Sequence, residues 1–169
     1  MDKLWSPWRS QYIDSFNTEK KEESCIFCNK KNVEISDESN LMVYKDDLTF
    51  TVLNLYPYNG GHLMVVPYRH TSDFLSLTAA ENSEIMKNIQ LAIKALGKIM
   101  NPQGFNVGAN VGKAAGAGID THLHFHIVPR WLGDINFMPV IGEVKVISQD
   151  LLETKRKLVD AYKSLTAVI

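Results

Sequence analysis

Between Thr121 and Arg130 the chain reads Thr-His-Leu-His-Phe-His-Ile-Val-Pro-Arg, which sets His122, His124 and His126 at strict two-residue intervals. A β-strand turns successive side chains to opposite faces, so this pattern predicts three imidazoles along one face, spaced by about 7 Å. Leu123, Phe125 and Ile127 then point the other way, toward a core. A half-exposed strand that merely uses histidine, or one that takes up a metal incidentally, would show the same alternation.

A chain of 169 residues is long enough to bury a proper core and is expected to form a single domain over residues 1–169. Its 18 basic and 19 acidic residues leave a net charge of −1 with no basic stripe, which argues against a nucleic-acid partner but leaves a mononucleotide or dinucleotide substrate open. Met1–Ser10 lacks the basic start and apolar run of a signal peptide, and no apolar stretch approaches the roughly 20 residues that span a bilayer. A soluble, cytoplasmic protein without membrane contact is expected. The only two cysteines, Cys25 and Cys28, form one Cys-x-x-Cys. In a reducing compartment that is a metal half-site or a reduced pair before it is a structural disulfide.

Taken in order, residues 1–24 form an arm with an aromatic cluster of Trp5, Trp8 and Tyr12, suited to covering a core edge or a second subunit. Residues 25–146 hold the core. Leu41–Lys45 and Thr49–Leu53 flank Asp46-Asp47 as a hairpin, and Tyr56 to Gly61 is a loop before a strand candidate, His62–Pro67. Thr78 with Glu81 makes a capping box, and Ile85, Ile89, Ile93, Leu96 and Met100 recur at helical spacing until Asn101-Pro102. Phe105–Asn110 reads as a strand, followed by a Gly/Ala-rich loop to Asp120 and then the histidine strand; Trp131–Val146 is mixed. A closing helix within 147–169 has Asp150 and Glu153 as its capping box and Leu151, Leu158, Tyr162 and Leu165 as its apolar side. Short turns between neighbouring strands predict an α+β fold with a mainly antiparallel sheet of about five strands, one long helix packed on it and a C-terminal helix.

A neutral imidazole is a good nucleophile, and its phosphorylated or nucleotidylated form is reactive enough to pass the group on. Neighbouring histidines can fix the nucleophile's tautomer and donate to phosphate oxygens as charge spreads in the transition state. The loop Gly112–Gly118 lets backbone N–H groups approach a phosphate, although a glycine-rich connector is also simply a flexible turn. It is not a Walker loop. His70 and one histidine of the triplet could complete a four-ligand set with Cys25 and Cys28, and from spacing alone zinc and a metal-free pair both stand.

The run His122-Leu123-His124-Phe125-His126-Ile127-Val128 resembles the signature of the histidine triad (HIT) superfamily, His-φ-His-φ-His-φ-φ with φ hydrophobic. The stretch Asn54 to Pro67, with Gly61-His62 before a strand ending in proline, and Asn110 before the triplet, resemble that superfamily too. The flanks Trp5-Ser6-Pro7-Trp8-Arg9 and Val128 to Pro139 look most like its bacterial diadenosine tetraphosphate phosphorylase branch. The resemblance implies a nucleotidyl transferase or hydrolase that cleaves dinucleoside polyphosphates through a nucleotidyl-histidine intermediate, with phosphate as acceptor. It also leaves a water-using hydrolase or phosphoramidase, and a nucleotide-binding interaction protein with incidental activity, as alternatives. By the same resemblance His124 is the nucleophile, His126 the phosphate-contacting histidine and His62 their support; Asn54 holds the ribose, and Asn110, Gly116 and Gly118 lie by the phosphates. Cys25, Cys28, His70 and His122 fall where zinc-bearing branches place a structural Zn²⁺, and a homodimer is implied. One departure stands out: several branches carry a hydroxyl three positions before the first triad histidine, and this chain has Ile119 there.

Overall fold

A computed structural model describes residues 25–134 and 150–167. Five strands, β1 (Met42–Lys45), β2 (Thr49–Leu53), β3 (Leu63–Pro67), β4 (Gly104–Ala109) and β5 (Phe125–Arg130), make one sheet in the order β1-β2-β3-β5-β4. Every neighbouring pair is antiparallel. Helices α1 (Ala79–Met100) and α2 (Leu151–Thr166) complete the α+β architecture. No helix among the described residues is long and apolar enough to cross a membrane. Trp5, Trp8 and Tyr12, and the part of the mixed segment beyond Asp134, lie outside the described residues.

Alternation along β3 divides the molecule. Leu63 and Val65 join the cluster built with Ile85, Ile89, Leu96, Leu158 and Tyr162 of the helices, while Met64 and Val66 join Phe27, Met42 and Phe50 on the opposite face. All five residues of β3 are buried, as expected for a central strand with both faces covered. The β3–β5 register pairs Met64 with His126 and Leu63 with Ile127, so His126 faces the same side as Met64.

The long helix starts where Thr78 and Glu81 predict, with both halves of the capping box formed, and stops at Asn101 in the left-handed region (φ 47°) before Pro102. Its buried face is Ile85, Asn88, Ile89, Ala92, Ala95 and Leu96, whereas Ile93 and Met100 are only half-buried. Small Ala92 and Ala95 bring the helix close to the sheet, and Asn88 Nδ2 donates to Thr49 Oγ1 at 2.7 Å. At α2, Asp150 accepts the Glu153 N–H at 2.8 Å, but the Glu153 carboxylate accepts from Lys157 Nζ at 2.6 Å, so half of the expected capping box is replaced by an ion pair. Leu158, Ala161 and Tyr162 carry its buried side, and Tyr162 stacks on Tyr44 of β1 with ring centroids 4.9 Å apart.

Candidate active site and metal cluster

The histidine-rich stretch is only partly a strand. β5 begins at Phe125, and His122 and His124 precede it outside the sheet ladder. Alternation nevertheless continues through them: Leu123, Phe125 and Ile127 pack on the helix-side core as the period requires. The three imidazoles are not an evenly spaced row. The rings of His124 and His126 stand edge to face with centroids 4.9 Å apart, while His122 belongs to a separate cluster.

Hydrogen bonds to groups of fixed polarity assign the tautomers. His124 Nδ1 lies 2.9 Å from the His122 backbone oxygen, which can only accept, so Nδ1 carries the proton and Nε2 keeps a lone pair. His124 is 6% exposed, and burial pushes its pKa down against the opposing pull of that hydrogen bond, which keeps the ring neutral. His62 Nδ1 receives the Tyr58 backbone N–H at 3.0 Å, so its proton sits on Nε2, which donates to His126 Nδ1 at 2.9 Å. His126 in turn holds its proton on Nε2. His62 is fully buried, a consequence of its place between the Gly61 turn and β3.

His124 and His126 open onto a cleft of about 1120 Å³, which Asn54, Asn110, Gly116, Gly118 and Ile119 also line. Apolar side chains, Phe27, Met42, Phe50 and Val52, make up another part of its wall. Asn54 is fixed at the end of β2: its Oδ1 accepts the Tyr56 N–H at 3.0 Å and its Nδ2 lies 3.3 Å from His62 Nδ1. Asn110 Nδ2 donates to Gly116 O at 3.4 Å, bridging the loop between β4 and the triplet. That loop turns at Gly112 (φ 80°) and Gly116 (φ 85°), backbone conformations that favour glycine. Such a pocket, with both apolar and polar lining, suits a ligand with a flat base and an anionic tail.

Cys25, Cys28, His70 and His122 form a second group, whose ligand atoms all lie within 4.8 Å of one another and could hold a metal ion. His122, fully buried, has Nε2 2.8 Å from the Pro67 backbone oxygen and so donates to it, leaving Nδ1 as a lone pair 3.3 Å from Cys25 Sγ. His70 Nδ1 lies 3.2 Å from Cys28 Sγ, and His122 Nδ1 3.8 Å from the same sulfur. Burial, reinforced by the Cys25 thiol, pushes the Cys28 thiol up, and burial keeps His122 neutral. The two groups share a residue, since the His122 side chain belongs to one and its carbonyl orients His124 in the other.

Three contributors to the site carry no distinctive motif. The Tyr58 ring lies over His62 and His126, with centroids 4.7 and 5.6 Å away. Phe27, between the two cysteines, touches the rings of His122 (5.6 Å) and His124 (5.3 Å). Asp134 accepts from Arg130 Nε at 2.7 Å and Nη2 at 2.8 Å, and from Asn59 Nδ2 at 2.9 Å; the Arg130 guanidinium holds its carboxyl down at about 2. Asn59 Nδ2 also donates to Pro129 O at 3.1 Å, so this clamp joins the loop before His62 to the end of β5. A proline-flanked aromatic loop before Gly-His is the sequence signal for Tyr58, and Asp134 lies within the Val128 to Pro139 flank that resembles the phosphorylase branch, whereas Phe27 has no such signal.

The family model for the HIT domain matches residues 36–131. A Mycobacterium tuberculosis protein named AP-4-A phosphorylase is 45% identical over 161 residues, covering 94% of this chain and 83% of its own. A Zn-bound histidine triad family protein from Mycobacterium smegmatis superposes with a TM-score of 0.63 at 26% identity, over 77% of this chain and 88% of that one. A protein from Sulfolobus tokodaii described as a hypothetical histidine triad nucleotide-binding protein gives 0.67 at 25% identity, over 86% and 96%.

Proposed function

Since this chain belongs to the HIT domain family, we propose that it is an enzyme that cleaves dinucleoside polyphosphates of the diadenosine tetraphosphate type by nucleotidyl transfer through His124. The observation that carries this reading is the 2.9 Å hydrogen bond from His124 Nδ1–H to the His122 carbonyl, which leaves a neutral ring with its Nε2 lone pair free for attack. In the first step Nε2 bonds to the α-phosphorus, the bond to the bridging oxygen breaks, and ATP leaves from diadenosine tetraphosphate. His126, with its proton on Nε2 by way of the His62 contact, donates to a non-bridging oxygen as negative charge grows there. Asn54 holds the ribose, and Asn110, Gly116 and Gly118 present the phosphate side. In the second step an acceptor attacks the same phosphorus and His124 leaves. Inorganic phosphate gives ADP, as the phosphorylase name of the mycobacterial relative suggests for its own reaction, whereas water gives AMP.

Incubation with diadenosine tetraphosphate, with and without phosphate, tests this directly. Phosphate-dependent ADP plus ATP is the expected result; AMP plus ATP regardless of phosphate reassigns the acceptor to water, and no turnover overturns the enzymatic reading.

The Cys/His group fits zinc. Zn–S of about 2.3 Å and Zn–N of about 2.0 Å give a tetrahedral S–N edge of about 3.5 Å, close to the 3.2, 3.3 and 3.8 Å Sγ–Nδ1 contacts between these donor atoms. Cys25, Cys28, His70 and His122 would hold it as a closed structural site that braces the chain beside the nucleophile. The solved relative from M. smegmatis, described as Zn-bound, supports the choice of metal. We further propose a cytoplasmic homodimer with the whole chain as one domain. Among the described residues β4 has only β5 as a neighbour in the sheet, and its Val107 is 47% exposed, consistent with a subunit edge. Sedimentation at twice the chain mass is expected; a monomer removes that part of the reading.

A further inference from the structure

The loop between β4 and His122 contains a cation that the scheme above does not use. Among the described residues that line the cleft, two are cationic, Lys30 and Lys113, and one is anionic, Asp120. Lys113 opens the short turn Lys113–Ala115, held between Gly112 at φ 80° and Gly116 at φ 85°, so the backbone fixes where its side chain starts. The Lys113 side chain is 85% exposed, and its ion pair with Asp120 is long, 3.7 Å from Nζ to Oδ2. An exposed pair of that length contributes little stability, so an incoming anion can replace the carboxylate at small cost.

The residue before Asp120 is Ile119, whose hydrocarbon packs against the Phe27, Phe50 and Met64 cluster. It offers no proton. A phosphoramidate must have its departing amine protonated, whereas a departing nucleoside polyphosphate takes the electron pair of the broken P–O bond onto phosphate oxygens that are stable as anions near neutral pH. What such a leaving group requires is positive charge rather than an acid. This same loop supplies it at Lys113, which lines the same cleft as Ile119.

We propose that Lys113 is a specificity-determining residue that binds the departing polyphosphate arm, exchanging Asp120 for phosphate oxygens and selecting substrates with an anionic leaving group. The inference rests on the dinucleoside polyphosphate reading above but is tested by binding rather than turnover. Titration of a methylene-bridged, non-hydrolysable diadenosine tetraphosphate analogue is compared with titration of AMP, which lacks the arm, for the wild type, Lys113→Gln and Lys113→Arg, with melting curves to verify folding. Lys113→Gln is expected to weaken the analogue about fivefold, leave AMP within experimental error, and be restored by Lys113→Arg. No change for the analogue, equal weakening of AMP, or failure of arginine to restore binding would each overturn the proposal. Failure of the enzymatic reading shows separately, as absence of wild-type turnover in the phosphate assay.

Discussion

His124 is prepared by its surroundings: a carbonyl removes the choice of tautomer, and burial keeps the ring uncharged. Its two histidine neighbours have the opposite tautomer, because the Tyr58 N–H occupies Nδ1 of His62 and the His62 N–H occupies Nδ1 of His126. Nitrogen-15 NMR of the folded protein should therefore show His124 protonated on Nδ1, and His62 and His126 protonated on Nε2; the reverse for His124 would remove its nucleophilic lone pair from the scheme. His124→Ala is expected to lower kcat by at least about a thousandfold while AMP still binds, since the substitution removes the proposed nucleophile and leaves the rest of the cleft in place. Equal loss of AMP binding would show that the ring serves the fold instead. That His62, His124 and His126 come together was expected from the sequence, and their rings do meet. Their protonation states were not, because the pattern of residues does not say that the His122 carbonyl turns onto His124 Nδ1 or the Tyr58 N–H onto His62 Nδ1, and the His62 ring reaches His126 from 64 residues away.

The elements were legible wherever a local rule acts alone. Thr78 with Glu81 announced α1, and Asp46-Asp47 announced the β1–β2 hairpin, because caps and tight turns are satisfied by residues adjacent in the chain. The buried face of α1 was harder, since Asn88, Ala92 and Ala95 are small or polar and face the core only because the sheet approaches closely there. Nor did the sequence show that Glu81 also binds Arg69 through two nitrogens, each at 2.8 Å, tying the start of α1 to the residue after β3 and Tyr68. Those contacts, with Thr78, hold the Glu81 carboxyl at about 2, below its ordinary value of 4.5. A carboxylate whose pKa is lowered on folding stabilises the protein above its unfolded value, and that contribution is lost as pH falls from about 4.5 toward 2. Because Arg69 is 43% exposed, solvent screens the interaction and its contribution to stability is modest. Glu81→Gln should thus lower the melting temperature at pH 7 and flatten its decline below pH 4.5; a variant that melts in parallel with wild type across that range would deny Glu81 the role. Gly61 is a second element-level constraint: at φ 74° a Cβ would lie 2.6 Å from Met100 Sδ. Gly61→Ala should destabilise by about 1–3 kcal/mol in urea unfolding, and a neutral result would mean that Met100 simply moves aside.

At the scale of the molecule, the Cys/His group connects three parts that are distant in sequence: the segment at Cys25–Cys28, the chain after β3 at His70, and the approach to β5 at His122. The backbone supports this convergence independently, as Leu123 N–H donates to Thr71 O at 2.8 Å beside the same cluster. Phe27, 4% exposed between the two cysteines, closes the face of the sheet that carries His124. A metal here would therefore fasten one wall of the cleft as well as the fold, and it would reach the nucleophile through His122, whose ring faces the cysteines while its carbonyl holds His124. Cys28→Ser is expected to reduce bound zinc from one per chain to near zero by atomic emission and to lower the melting temperature by several degrees. It should also reduce kcat more than it weakens AMP, because the cluster touches the reacting ring directly through the His122 carbonyl but meets the rest of the cleft only through Phe27. If wild type and Cys28→Ser both purify without zinc and melt together, the four side chains are a reduced hydrogen-bonded cluster. The orientation of His124 then depends on the His122–Pro67 hydrogen bond alone, and chelators should leave turnover unchanged.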